Sequence, residues 1–323
     1  MTDTVTVYRW DDVDAPQITN ASRKPSDVMK IMKACLVDGY GSKLGAGWSV
    51  VEDQIATATP YASFRNAGSG GAVLIRADND NTGSAFIVRA YQEYTDLNNF
   101  AKESKSYSSG NPSFSSPNRK WVLIATNKAF WFLQMHPYYE TGNFIQRQVN
   151  DMWVFFAGDI YSVFNNDPCT FTLIGGRNEN DLTQSDYGSV FPYALTHGQS
   201  SSTIMYGLDN SSTAQIHTTI SALGAGNFNA GLVNSAPPGV NVMADVFLRA
   251  SQSGYVDYSG SPQNNSAYPI LRGRLPGLFI SDQSGWKNTP FPNTQTISGN
   301  PYLQIFDGWD DASAAWIKLD TWQ

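Results

Sequence analysis

Cysteine and histidine are scarce: the 323 residues include two Cys and three His. Cys35 and Cys169 lie far apart and match no metal-ligand spacing, so no zinc site is expected and both read as buried thiols packing as small hydrophobes. His136, His197 and His217 form no HExxH or other close pair, which removes that metalloprotease pattern. A structural or surface role is expected for each, and a dispersed Ser/His/Asp triad is left unspecified by sequence order. Charge is scarce as well. Asp, Glu, Lys and Arg make up only 15% of the chain, for a net charge of −7. Lys and Arg are scattered without a run, whereas a phosphate-backbone binder needs a basic stripe to release counterions, so nucleic acid is not an expected partner. No apolar run approaches the ~20 residues that span a bilayer as a helix, so membrane insertion is not expected. The opening MTDTVTVYRW lacks the basic start and apolar segment of a signal peptide, and synthesis and folding in a cytoplasm is the expectation.

What is abundant points to strands. With charge low, polarity comes from Ser, Thr, Asn, Gln and Gly, which disfavour helix interiors because their side chains compete for backbone hydrogen bonds. Nine Trp, 16 Tyr and 17 Phe favour pleated, half-buried surfaces. The expected fold class is mainly β, with antiparallel, sandwich-like sheets and one N-terminal amphipathic helix packed on a sheet.

That helix is announced by Pro25-Ser26-Asp27, with Ser26 read as N-cap. Val28, Ile31, Met32, Cys35 and Leu36 then form one apolar stripe, and Gly39-Tyr40-Gly41 supplies the stop. Afterwards the period switches to two. Strands are expected around Trp48 and Val50, at Ile55–Thr59, and as two hairpin pairs, Ala72–Ala77 with Ser84–Ala90 and Lys120–Thr126 with Ala129–Met135. Met152–Phe156, Thr170–Gly175, Ile204–Tyr206, Ala244–Ala250, Tyr302–Phe306 and Ala315–Leu319 continue the pattern. The expected organisation is an N-terminal arm (1–24), a helix plus antiparallel β domain (25–180) and a β-rich second lobe with long polar loops (181–323). A short strand at Val5–Trp10 fits either a sheet edge or an arm docking on another subunit. Read as an arm, residues 1–13 would be removable without unfolding the domain.

Several motifs invite chemistry and fall short of it. Asp78, Asp80, Thr82 and Gly83 resemble the start of a calcium loop, but the twelfth position is Arg89 where a bidentate Glu is required, so a polar hairpin turn is expected. Gly68-Ser69-Gly70-Gly71 suggests a phosphate cradle, yet it lacks GxxxxGK[ST] and precedes a strand, so the glycines are expected to serve a turn. No GxSxG elbow is present. Glycoside hydrolysis needs two carboxylates, and Asp159, Asp167, Asp307, Asp310 and Asp311 are the candidates, none marked as a general acid. No catalytic residue, cofactor or metal ligand is assigned, and the chain is not expected to be an enzyme. Tyr138 and Tyr139, directly after a strand end, are the candidate exposed aromatic surface for a glycan or a protein.

Beyond composition, an ordered series of segments carries a likeness. It begins with Asp14-Ala15-Pro16-Gln17-Ile18, Ala34-Cys35-Leu36-Val37-Asp38-Gly39-Tyr40-Gly41 and Ala46-Gly47-Trp48. Leu74-Ile75-Arg76-Ala77-Asp78, Ile87-Val88-Arg89-Ala90-Tyr91, Trp121-Val122-Leu123 and Ala129-Phe130-Trp131-Phe132 follow. Phe155-Phe156-Ala157-Gly158-Asp159-Ile160 and Leu271-Arg272-Gly273-Arg274-Leu275-Pro276-Gly277-Leu278 complete it. The series resembles a group of structural virion proteins of tailed bacteriophages and prophages, from about residue 14 to the end and least across 180–265. No extra segment is inserted here between Gly41 and Trp48. The resemblance implies a particle component in multiple copies, from the tail tip, baseplate or head–tail region, and it brings no catalytic residues. Other virion proteins and copies of the same chain are the implied partners, and the virion the implied location. Low charge and abundant aromatics agree with large protein interfaces, and Trp316 and Trp322 are candidate assembly contacts. A host-surface glycan-binding adhesin and a capsid decoration protein are the alternative readings.

Overall fold

The computed structural model describes residues 2–18, 24–104, 107–109, 120–135, 152–175, 202–221, 243–250, 271–281, 291–307 and 314–323. Tyr138, Tyr139, His136, His197, Asp310 and Asp311 lie outside the described residues, as does the side chain of Asp307.

The helix spans Pro25–Lys33 and runs on as a π-helical turn, Ala34–Asp38. Val28, Ile31, Met32, Cys35 and Leu36 are all buried, so the predicted stripe is the packed face. Gly39 ends the helix with φ +79°, its N–H donating to Ala34 O at 2.7 Å. A Cβ there would lie 2.4 Å from Lys43 O, so glycine is required on two counts. The start differs from expectation. Pro25 occupies the first helical position, where a missing N–H costs nothing, so the N-cap falls on Lys24 and Ser26 sits inside the first turn. Asp27 accepts the Lys24 N–H at 3.1 Å. Ser26 instead directs its N–H (3.0 Å) and hydroxyl (2.8 Å) to the carboxylate of Asp80.

Among the described residues three large antiparallel sheets follow, beside one two-stranded pairing. The first runs in sequence order as a meander of Ser49–Gln54, Tyr61–Arg65, Ala72–Arg76, Phe86–Asp96 and Asn99–Glu103, with Tyr107–Ser109 paired to Phe86–Asp96. The strand expected around Trp48 and Val50 is Ser49–Gln54, whereas the one expected at Ile55–Thr59 is not formed. Residues 55–59 form the turn, because the Thr57 N–H and hydroxyl both fold back onto Gln54 O. The second sheet has the order Phe171–Gly175, Met152–Asp159, Ala129–Met135, Trp121–Ala125, Thr6–Arg9. Its hairpin turns at Asn127-Lys128, as expected, closed by Thr126 Oγ1 accepting the N–H groups of Lys128 and Ala129 at 3.2 Å. The third sheet orders Ser202–Tyr206, Ala214–Ser221, Met243–Ala250, Leu271–Ser281, Ala314–Lys318, Asn300–Asp307 and Thr294–Ile297, and the short strand Tyr161–Ser162 joins it beside Leu271–Ser281.

The second sheet is the middle layer. Along its strands alternate side chains enter different cores, as the period of two requires. Leu123, Phe130, Phe132, Phe155 and Leu173 pack with the helix residues and with Phe64, Val73, Ile75 and Val88 of the first sheet. Val122, Ile124, Trp131, Leu133, Val154, Phe156 and Ile174 pack with Leu248, Leu278, Ile280, Leu303 and Ile317 of the third. Burial on both faces explains why Trp121–Ala125 reads as an unbroken apolar run rather than an alternating one. The expected boundary near residue 180 lies outside the described residues, and the second core draws on both sides of it.

Of the two readings of the N-terminal strand the sheet edge is found, and one further expectation is corrected. The N-terminal segment is built into the fold: Thr6–Arg9 is an edge strand of the middle sheet, Asp3–Thr4 pairs with Thr321–Trp322, and fully buried Tyr8 donates to Leu44 O at 2.6 Å. Removing residues 1–13 would strip that strand and its core tyrosine. Trp316 and Trp322 are 0% and 1% exposed, so they pack the chain's own interior and present no surface for assembly. Their indole N–H groups are satisfied internally, by Ser281 Oγ at 2.9 Å and Lys318 O at 2.8 Å.

Candidate functional site

The polar side chains worth testing for chemistry gather where strand Met152–Asp159 ends and the short strand Tyr161–Ser162 crosses to the third sheet. Gly158, at φ +142°, makes this approach possible, since a Cβ would sit 2.3 Å from Ala129 Cα. The next residue, Asp159, turns its carboxylate into the Gly68–Gly71 loop. Oδ2 accepts from Asn66 Nδ2 and from the Ser69 N–H, both at 2.8 Å. Oδ1 accepts from the Ser69 hydroxyl at 2.5 Å and the Thr170 hydroxyl at 3.0 Å. A Cβ on Gly68 would lie 2.1 Å from Oδ2, so the glycine lets the loop close over the carboxylate. The glycine-rich segment therefore does cradle an anion, but that anion is the protein's own. Burial pushes the Asp159 pKa above the ordinary carboxylate value, against the downward pull of these donors.

Asp159 borders a cleft of about 380 Å3 whose lining includes Asp3, Lys128, Tyr161, Phe164, Asn165 and Asp167. Two of the five candidate carboxylates, Asp159 and Asp167, are thus brought to one place. Asp3 accepts from Lys128 Nζ at 2.9 Å and from the Tyr161 hydroxyl at 3.0 Å. Burial, then the Asp3 charge, hold the Tyr161 phenol well above its ordinary pKa, so it keeps its proton. Asp167 is paired with Arg272 at 2.5 Å, the two side chains being 1% and 0% exposed, and also accepts from the Ser162 hydroxyl at 2.7 Å and the Cys169 N–H at 3.0 Å. Asp3, Lys128, Tyr161 and Arg272 were not among the candidate site residues read from the sequence. Asp3 and Lys128 meet across 125 positions, and no local spacing signals such a pair.

Chemically, this is a set of carboxylates already engaged by the fold. A general acid or nucleophilic carboxylate needs an oxygen free to face a substrate. Each carboxylate here is committed to at least two donors within the fold. His217 lies on strand Ala214–Ser221, fully buried, its Nδ1 at 3.1 Å from Gln215 O. Burial lowers its pKa from 6.5 to about 4, so the imidazole is neutral near pH 7. Cys35 and Cys169 are buried free thiols, both shifted upward by burial, as the packing reading requires. Among the described residues no three His, Cys, Asp or Glu side chains converge to hold a metal ion, and no helix is long and apolar enough to cross a membrane. Asp80 caps the helix through Ser26.

A scan against protein-family models finds no match for this chain, and a search of curated proteins finds none either.

Proposed function

We propose that this chain is a structural subunit of a tailed-phage virion, placed in the tail tip, baseplate or head–tail assembly, and that it works through protein–protein interfaces rather than catalysis. The resemblance along the sequence motivates the phage assignment. The observation that supports the interface reading is a braced apolar surface. Val13 and Leu44 are 78% and 84% exposed, on two loops that touch where Gly41 packs against Val13 O. The loops are cross-tied by Asp12, which accepts from Lys43 Nζ at 2.6 Å and from the Tyr40 hydroxyl at 2.8 Å. Burial alone would raise the Asp12 pKa, yet the Lys43 and Tyr40 hydrogen bonds outweigh it and hold the carboxyl below its ordinary range. Apolar side chains held out by an ionised brace lose little conformational freedom on docking, which favours association.

The test is incorporation. Particles are assembled with wild type and with the double variant Val13→Asp, Leu44→Asp, and the chain is located by antibody label in particle images. The wild type is expected at a discrete tail or head–tail position. The variant is expected to fold with an unchanged melting temperature and to be depleted from particles. Absence of the wild type from purified particles sinks the virion reading, and full incorporation of the variant sinks this surface as the interface.

A further inference from the structure

We infer that the cleft beside Asp159 binds a neutral polyhydroxylated ring, one pyranose unit of a saccharide, and holds it without cleaving it. This goes beyond the assembly reading and does not rest on it.

At about 380 Å3 the cleft lies at the small end of the range that takes small-molecule ligands. Its carboxylates are engaged before any ligand arrives: Asp3 is paired with Lys128, Asp167 with Arg272, and Asp159 is held by four neutral donors. An anionic ligand would meet three carboxylates around the one lysine lining the cleft. A cationic one would have to displace the Lys128 ammonium from Asp3. Neither finds an unpaired countercharge.

What stays accessible suits hydroxyl groups. The Lys128 side chain is 35% exposed and keeps two further N–H donors after its bond to Asp3. The Asp3 oxygens, on a side chain 13% exposed, accept one bond each and retain lone pairs. The Tyr161 hydroxyl donates to Asp3 and is left as an acceptor. Asn165 is exposed at the rim, offering both amide functions with no side-chain partner among the described residues. Donors and acceptors therefore both line the cleft. A hydroxyl is the ligand group that donates and accepts at one atom, so neighbouring hydroxyls of a ring can bridge them without breaking the ion pair. Ile160, Phe164 and Pro276 add apolar lining for the C–H face of the ring. Because each cleft carboxylate is already held by a cation or by several donors of the fold, no unengaged pair flanks the ring and binding ends without bond cleavage.

The experiment is saturation-transfer difference NMR on the full chain. The neutral probes are methyl β-D-glucoside, methyl β-D-galactoside and N-acetylglucosamine; glucosamine and glucose 6-phosphate serve as charged comparators. Ring-proton signals are expected from at least one neutral sugar. Tyr161→Phe is expected to weaken that binding roughly fivefold, the affinity equivalent of one neutral hydrogen bond. Asn165→Trp, which places a large side chain at the rim of the exposed turn, is expected to abolish the signal with the melting temperature unchanged. No transfer from any neutral sugar, a stronger response to either charged comparator, or binding that survives Asn165→Trp would each overturn the proposal.

Discussion

Ser69 holds the carboxylate of Asp159 at both oxygens, its N–H donating to Oδ2 at 2.8 Å and its hydroxyl to Oδ1 at 2.5 Å. The two residues lie 90 positions apart, and their bond ties the turn between two strands of the first sheet to the end of a strand in the middle sheet. A buried carboxylate is tolerated only where donors replace the water it loses, and here Asn66, Ser69 and Thr170 supply that replacement. Ser69→Ala leaves the backbone donor and removes the hydroxyl. The expected cost is about 1–3 kcal/mol, typical of a hydrogen bond to a charged group, read from urea unfolding. A loss below roughly 0.3 kcal/mol would mean that the cradle contributes nothing to the fold.

Helix capping by Asp80 makes a second prediction. Asp80→Ala strips both acceptors from Ser26 and is expected to cost about 0.5–2 kcal/mol, the usual range for a lost N-terminal cap. Asp80→Asn, which keeps an acceptor, should recover part of that loss. If Asp80 were instead a calcium ligand, excess calcium would raise the wild-type melting temperature and leave Asp80→Ala unmoved. The expected result is no calcium response in either protein.

His217 gives a pH dependence with a definite sign. Burial lowers its folded pKa to about 4 from 6.5, helped by the nearby Arg272 cation and opposed by the Gln215 carbonyl and the Asp167 carboxylate. Between those values the unfolded chain binds a proton that the folded chain refuses. The stability associated with neutral His217 is thus fully present above pH 6.5 and is lost as pH falls toward 4, by at most about 3 kcal/mol. Asp159 works the other way, since its raised pKa makes acidification favour the fold. Comparing wild type with His217→Gln isolates the histidine: the variant should lose less stability between neutral pH and pH 5. Parallel curves for the two proteins would show that His217 does not titrate on unfolding.

Which features were legible in the sequence follows from how local their causes are. The helix stripe, the Gly39 stop and the hairpin at Asn127-Lys128 depend on residues within a few positions of one another, and all are found where the pattern put them. Position within the layers was not legible. Trp121–Ala125 reads as a buried strand, but only the third sheet, formed more than 75 residues later, accounts for its second buried face. Ser26 was misplaced because Pro25 shifts the cap back by two residues, and the partner that gives Ser26 its role lies 54 positions on. Of the cleft, Asp159 and Asp167 were visible as candidates. Their engagement by Ser69 and Arg272 was not, because a carboxylate in sequence carries no mark of its donors.

Trp322 tests the same distinction near the chain end. In sequence a late tryptophan fits a subunit contact, whereas the structure gives it 1% exposure and an indole N–H bonded to Lys318 O. Gly277, at φ +71°, lies against the ring so closely that a Cβ would come within 2.2 Å of Trp322 Nε1. Trp322→Ala is expected to open a cavity in the second core and cost about 3–5 kcal/mol in the isolated protein. Gly277→Ala should also destabilise it, through both the backbone conformation and the displaced ring. A subunit contact predicts the reverse pattern: the isolated chain would keep its stability after Trp322→Ala and only assembly would suffer. Urea unfolding of the purified variant, read beside particle incorporation, therefore separates a core residue from an interface residue. A normal unfolding midpoint would return Trp322 to the surface and remove it from the second core.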